Sequence, residues 1–236
     1  MAVTVQSVLD RVSLILQDTA NIRWAESELL YWINDAQREI VLIKPDASAT
    51  NTTVTLVTGT KQEIPADGNR LLRVVRNMSA ASGGTGGKVI RIVAEDLLDV
   101  QTPSWHLPTA TGDAAHGTVV KHFVYNEQNP RNFYVYPGVS GDAYIEIVYS
   151  ANPAEVTASD NIGLPDIYST AILNYVLYMS FMKDTNYAGN AQRASNHYQL
   201  FMAAVTGKGQ VDQTTTPNSS LQSAAPVQIG GFASGN

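Results

Sequence analysis

Apolar residues near the N-terminus recur three and four positions apart. Val5, Val8, Leu9, Val12, Ile15 and Leu16 form one stripe, which predicts a helix over 5–17 with Thr4 as its N-cap. A second stripe of Leu29, Ile33, Ala36, Ile40 and Ile43, with Trp32 beside it, predicts a helix over 25–44 that Pro45 ends. From Asn51 the pattern changes to short β-branched and aromatic runs separated by Gly, Pro, Asn and Asp. The runs TTVTLVTG, KQEIPA, RLLRVVRNM, KVIRIV, TVVKHFVYN, NFYVYPG and AYIEIVYSA predict an antiparallel β-domain of six or seven strands, with a short helical turn at AEDLLDV. NEQNPRN and PGVSGD read as hairpin connectors, and SAASGGTGGK as a flexible hairpin loop.

Helical spacing returns after NPAEVTASDNIGLPD. Residues 167–183 are apolar on nearly every side, so that helix is expected to bury more than one face, the second against another subunit. Tyr168, Tyr175 and Tyr178 are its candidate interface residues. A last helix over 190–206 carries Ala191, Ala194, Tyr198, Phe201, Met202 and Val205 on one stripe, with Gly207 as its stop. The predicted fold class is α+β. A four-helix domain (1–49 and 153–207) carries an antiparallel β-domain (50–152) inserted between its second and third helices, followed by an extended C-terminal arm (208–236).

The arm changes the picture because it cannot pack on itself. It is rich in Gln, Ser, Thr, Pro and Gly, with Lys208 and Asp212 as its charged residues and isolated apolar residues at Leu221, Val227, Ile229 and Phe232. Such a segment buries too little surface to offset its ordering entropy, so it is either disordered or waiting for a partner.

Composition narrows the classes further. Hydrophobic residues make up 44% of the 236 and charged ones 15%, against about 25% in ordinary soluble domains, which favours an oligomer that hides part of its surface. The net charge of −6 disfavours a nucleic-acid grip, yet it suits a wall along which DNA slides. The absence of cysteine excludes disulfides, thiol catalysis and thiolate metal sites. No signal peptide or membrane span is read from the sequence, so synthesis in a cytosol is expected.

Candidate chemistry is sparse. SGGTGGKV has Ser82 and Val89 where a phosphate-binding loop needs Gly and Ser or Thr, and a strand follows it. His106, His116, His122 and His197 have no metal-like spacing, and SWHLP reads as a packed corner around Trp105. Glu95, Asp96 and Asp99 are explained by the start of a short helix, where carboxylates are favoured. No nucleophile elbow occurs. No catalytic residue, metal site or cofactor is therefore expected. Arg70, Arg73, Arg76, Lys88 and Arg91 gather on neighbouring strands, either as a solvated face or as a contact with an acidic subunit or DNA phosphate. Trp24 and Trp32 are expected in the core.

The helix IRWAESELLYWINDAQREIV, with its Leu-Leu-x-Trp-Ile-Asn and Ala-Gln-Arg-Glu runs, resembles the N-terminus of phage head-to-tail adaptor proteins. EIPADGNRLLRVVRNM, PSWH and NPRNFYVYPG are similar to the same group, particularly the tail tubular protein A type of short-tailed phages. The resemblance covers most of residues 1–206. It implies a non-enzymatic virion protein of the neck, made in the bacterial host cytoplasm. It also implies a homo-oligomeric ring, usually of twelve copies, between the portal protein and a tail nozzle or tail tube protein. DNA would pass through the lumen without specific binding, and no membrane is involved. The arm, with Leu221, Pro226, Val227, Ile229 and Phe232 as anchors, is then expected to dock on the portal. The alternatives are another tail-completion or stopper protein, or a carbohydrate- or receptor-binding β-module presenting Tyr125, Tyr134 and Tyr136.

Overall fold

The structure, a computed structural model, describes residues 2–215. Among them are five α-helices and eight strands in two four-stranded sheets, so the chain is α+β. Helix α1 (Val5–Leu16) begins where Thr4 Oγ1 accepts the Ser7 N–H, and ends at Gln17, whose left-handed φ of 57° closes the last turn. The Asp18 carboxylate then accepts the N–H groups of Ile22, Arg23 and Trp24, shaping the turn into α2 (Glu26–Ile43). Those bonds, the one from Trp24 foremost, hold Asp18 below the usual carboxylate range. The inner stripes are as predicted except at their ends: Ile15 is exposed, and Leu16 and Ile43 are only half-buried. Trp24 and Trp32 are both buried.

After a 3-10 turn at Pro45–Ser48 come β1 (Ala49–Thr55), β2 (Gly59–Glu63), β3 (Gly68–Met78), β4 (Gly86–Val89), β5 (Arg91–Ile92), α3 (Glu95–Gln101), β6 (His122–Tyr125), β7 (Asn132–Val139) and β8 (Tyr144–Ala151). One sheet has the order β1-β8-β3-β4 and the other β2-β7-β6-β5. Four expectations are corrected here. KVIRIV is not one strand, because β4 belongs to the first sheet and β5 to the second, with buried Ile90 at the crossing. The strand expected in TVVKHFVYN forms only over His122–Tyr125. PGVSGD is not a hairpin, since β7 and β8 lie in different sheets. The pairing is also not wholly antiparallel, for β5 runs parallel to β6.

Strand β3 departs from the period of two that strands normally show. Its pairing with β8 shifts register between Gly68 and Arg70, between Leu71 and Arg73, and between Val74 and Arg76. Each shift is a β-bulge, leaving Asn69, Leu72 and Val75 as the extra residues. The sequence RLLRVVRNM therefore repeats in threes: Leu71, Val74 and Asn77 turn inward, and Arg73 and Arg76 lie opposite the outward Val148 and Glu146.

Helix α4 (Ser169–Lys183) follows a 3-10 turn at Asp166–Tyr168, and α5 runs from Asn190 to Thr215. A hydrophobic cluster unites α1, α2, α4, α5 and the segment around Val156–Leu164. Two further clusters fill the β region, one between the sheets and one around Trp105, Leu98 and Tyr136. Helix α4 lies against α1, α2 and α5, and these three account for its apolar faces within one chain. Gly207 does not stop α5, and its φ is not positive. A glycine inside a helix costs only about 1 kcal/mol, which the residues around it offset. Ala191, placed on the inner stripe, is exposed.

Candidate contact surfaces

The tyrosines of the α4 region take different positions. Tyr168 is buried in its own chain, with 3% of its surface exposed, so its ring is not offered to a second subunit. Tyr175 and Tyr178 are half-buried and stack edgewise at 5.8 Å. Tyr175 also meets Phe201 at 5.2 Å, and Tyr178 meets Tyr198 at 5.0 Å, so both form part of the α4–α5 contact. Burial, helped by the nearby Glu39 and Asp35 carboxylates, raises the Tyr175 hydroxyl above its ordinary pKa.

The basic residues are partly brought together. Arg70, Arg73 and Arg76 form a row along β3, and Lys88 sits on the neighbouring β4, but Arg91 lies in the other sheet opposite His122. Arg76 Nε bonds Glu146 Oε2 at 2.6 Å, and Asn51 Nδ2 bonds the other carboxylate oxygen at 2.8 Å. The Asn51 bond first, then Arg76, depresses the Glu146 pKa. Gly86 makes room for this arrangement, because a Cβ there would lie 2.7 Å from the Arg76 guanidinium. Of the five, Arg76 alone makes an ion pair among the described residues.

Arg70 instead lines a cleft of about 700 Å³ at the junction of α2 with the first sheet. Asp35, Glu39, Leu42, Pro130, Pro153 and Tyr175 complete its wall. No sequence signal pointed to this cleft, because its residues come from five separate stretches of chain.

The sequence also did not reveal why the WINDAQR run has its spacing. Asn34 and Gln37 are buried on α2, and both grip the segment that returns from the β region. Asn34 Oδ1 accepts the Val156 N–H at 2.9 Å and Nδ2 donates to the Val156 carbonyl at 3.2 Å. Gln37 Oε1 accepts the Gly163 N–H at 2.6 Å. An i, i+3 pair on one helix face thus reads two backbone sites of an irregular segment. Asn77 does the same in the β region: it accepts the Val120 N–H and donates to the carbonyls of Val120 and Lys88.

At the far end of the helices, Arg23 pairs with Asp184 and lies over the rings of Trp24 and Tyr187, at 5.2 and 4.4 Å from their centroids. The Asp184 bond raises the Arg23 pKa. This contact ties the α1–α2 turn to the α4–α5 turn.

The histidines are absorbed by packing. His106 stacks on buried Trp105 and bonds Thr60 through Nδ1 at 2.7 Å, the packed corner expected of SWHLP. Trp105 Nε1 donates to Asp99. His197 bonds Asn174 Oδ1 at 3.0 Å and stacks on Phe181, and burial lowers its pKa. Among the described residues no cluster of three His, Asp or Glu could hold a metal, and no helix is long and apolar enough to cross a membrane. Tyr136 is buried and Tyr134 half-buried against Trp105 and His106, so they are not an open aromatic face. Leu221, Pro226, Val227, Ile229 and Phe232 lie outside the described residues.

No curated protein matches the chain. The profile of the SU10 adaptor protein family matches it over residues 3–222, including the Asn34 and Gln37 grips and both sheets. On that nearly complete match, the chain belongs to the SU10 adaptor protein family.

Proposed function

We propose that this protein is the head-to-tail adaptor of a bacteriophage: a non-enzymatic virion subunit in the neck, forming a ring between portal and tail and extending the DNA channel. The observation that carries the reading is the adaptor-family match over residues 3–222. The chain divides on this reading into a helical domain (1–49 and 153–207), which carries the ring contacts, and an inserted β-domain (50–152). The helical cluster drawing residues from both sides of the strands supports that division.

Ring subunits meet head to tail, so two different faces of one chain must fit each other, and the contacts must close. Tyr175 and Tyr178 stand at the rim of one such face, while Tyr168 is buried in the helical core. Arg70, Arg73, Lys88 and Arg91, which make no ion pair among the described residues, suit an acidic face on the neighbour. A net charge of −6 suits a conduit that does not hold phosphates. The arm reaches the portal through Leu221, Pro226, Val227, Ile229 and Phe232. The far side of the ring meets a nozzle or tube protein.

The test is mass by light scattering with and without a purified portal ring, using the full chain and a version ending at Thr215. A ring-sized mass, or portal capture that the shorter chain loses, is expected. A monomer indifferent to the portal in both versions would refute the reading.

A further inference from the structure

Four strands lie at sheet edges, and three of them are protected against further pairing. Strand β4 is four residues long, bulged and bears Lys88; β2 has a bulge with Lys61 and Glu63; β5 is two residues long and bears Arg91. Short length, charge and bulges are the usual devices that keep an edge from accepting another strand. Strand β1 has none of them. Its sequence ATNTTVT has no charge, proline or glycine, and all seven residues pair with β8 in unbroken register.

The phase of that ladder identifies the free groups. Leu56 N–H bonds the Ala143 carbonyl one step beyond β1, and hydrogen-bonded pairs alternate in an antiparallel ladder. Val54, Thr52 and Thr50 therefore bond β8, while Asn51, Thr53 and Thr55 turn N–H and C=O away from it. None of these outward groups has a backbone partner among the described residues. Val54 packs against the core between the sheets, so a strand added beside β1 would extend that core.

Helix geometry indicates what can reach this edge. The ring pairs Tyr175–Phe201, Tyr178–Tyr198 and Phe181–His197 make α5 antiparallel to α4. The Lys183–Glu28 ion pair, with Tyr175 near Glu39 in the shared cleft, makes α4 antiparallel to α2. Helices α5 and α2 thus run the same way, and α2 leads through Pro45–Ser48 directly into β1. Helix α5 therefore ends, at Thr215, towards that end of the molecule. Residues 216–236 carry no charge, and PVQIGGF places Val227 and Ile229 on one side of an extended strand. Their extended reach is about 70 Å.

We propose that in the free protein the outer edge of β1 is a strand-addition site for the chain's own C-terminal segment, centred on residues 226–232. The arm is stored on the sheet edge, and it seals an edge that would otherwise recruit other chains. Release of that strand is the step that frees the arm for an assembly partner. The storage itself does not depend on the adaptor reading; only the identity of the releasing partner does.

Amide hydrogen exchange of Asn51, Thr53 and Thr55 tests this in the full chain and in one ending at Thr215. The outward amides should exchange roughly ten-fold faster in the shorter chain, with Thr50, Thr52 and Val54 unchanged. Thr53→Pro removes one outward donor without touching the β8 ladder, and Val227→Asp with Ile229→Asp alters the arm alone. Each should produce the same faster exchange at the remaining outward amides. Equal exchange in the full and shortened chains would overturn the proposal, and so would protection that grows with protein concentration, which would assign the edge to a second copy. Portal capture is read separately, so losing it on truncation while β1 exchange stays unchanged would sink the storage site and leave the adaptor reading intact.

Discussion

The helical region and the β region solve one problem in two settings. Each must hold an irregular stretch of backbone against a regular element, and each uses a buried asparagine that both donates and accepts. Asn34 sits on a helix, and its third partner is the Leu30 carbonyl, which the helix can also satisfy. Asn77 sits on the inward row of the bulged strand β3, and its partners at Val120 and Lys88 belong to chain that no helix supports. A helix tolerates the loss of such a clamp better than a sandwich does, because its own ladder stays closed.

Replacing Asn77 with leucine should have the largest effect, roughly 3 kcal/mol of lost stability, since it strands both buried backbone groups of Val120 and also frees the Lys88 carbonyl. Urea denaturation measures the loss, and exchange of the Val120 amide locates it. Asn34→Leu should cost about 1.5 kcal/mol in the same assay, because only the Val156 groups lose partners. Equal losses from the two substitutions would dissolve the comparison.

Acid should separate the regions next. The Asp18 pKa is depressed in the folded state, so its contribution is complete above the unfolded value near 3.9 and is lost as pH falls through the folded value. His197 is also depressed, by burial, so stability is full above about 6.5 and declines as pH falls towards its folded value. Both groups lie in the helical region. Of the two, only His197 loses stability between pH 7 and pH 4, so NMR of backbone amides over that range should show the α4–α5 contact loosening before the sheets. Earlier loss in the sheets would contradict the assignment.

The smallest effects should come from the arginine row. Arg76→Ala should cost at most about 0.5 kcal/mol, since the Arg76 side chain is nearly half exposed and Asn51 still bonds Glu146. Arg73→Ala should leave the denaturation midpoint unchanged. A clear loss at Arg73 would mean that the row stabilises the sheet.

Helices α1 and α2 were legible almost to the residue, because a 3.6-residue stripe and a Thr cap are local signals. Strand β3 was legible as a strand, but not as one that presents its arginines in a row, because its period of three makes sense only opposite β8. KVIRIV read as one strand since nothing local marks Ile90 as the crossing between sheets. The apolar α4 pointed to a second subunit, and α1, α2 and α5 of its own chain bury much of its apolar surface. In the contact surfaces, the arginines and tyrosines were identified by type, yet the burial of Tyr168 and the placement of Arg91 in the other sheet were not.

By itself the sequence determined the alternation of helical and strand grammar, the absence of thiol chemistry, the uncharged C-terminal segment and the resemblance to adaptors. These depend on residue type and on spacing within one turn or one strand. Only the tertiary structure decided which strands share a sheet, which amides grip which backbone, and which edge stays open. Those outcomes rest on contacts between residues far apart in sequence, such as Asn34 with Val156 and Asn77 with Val120. A periodicity records that a face will be buried, but the partner that buries it is fixed only when the chain closes on itself.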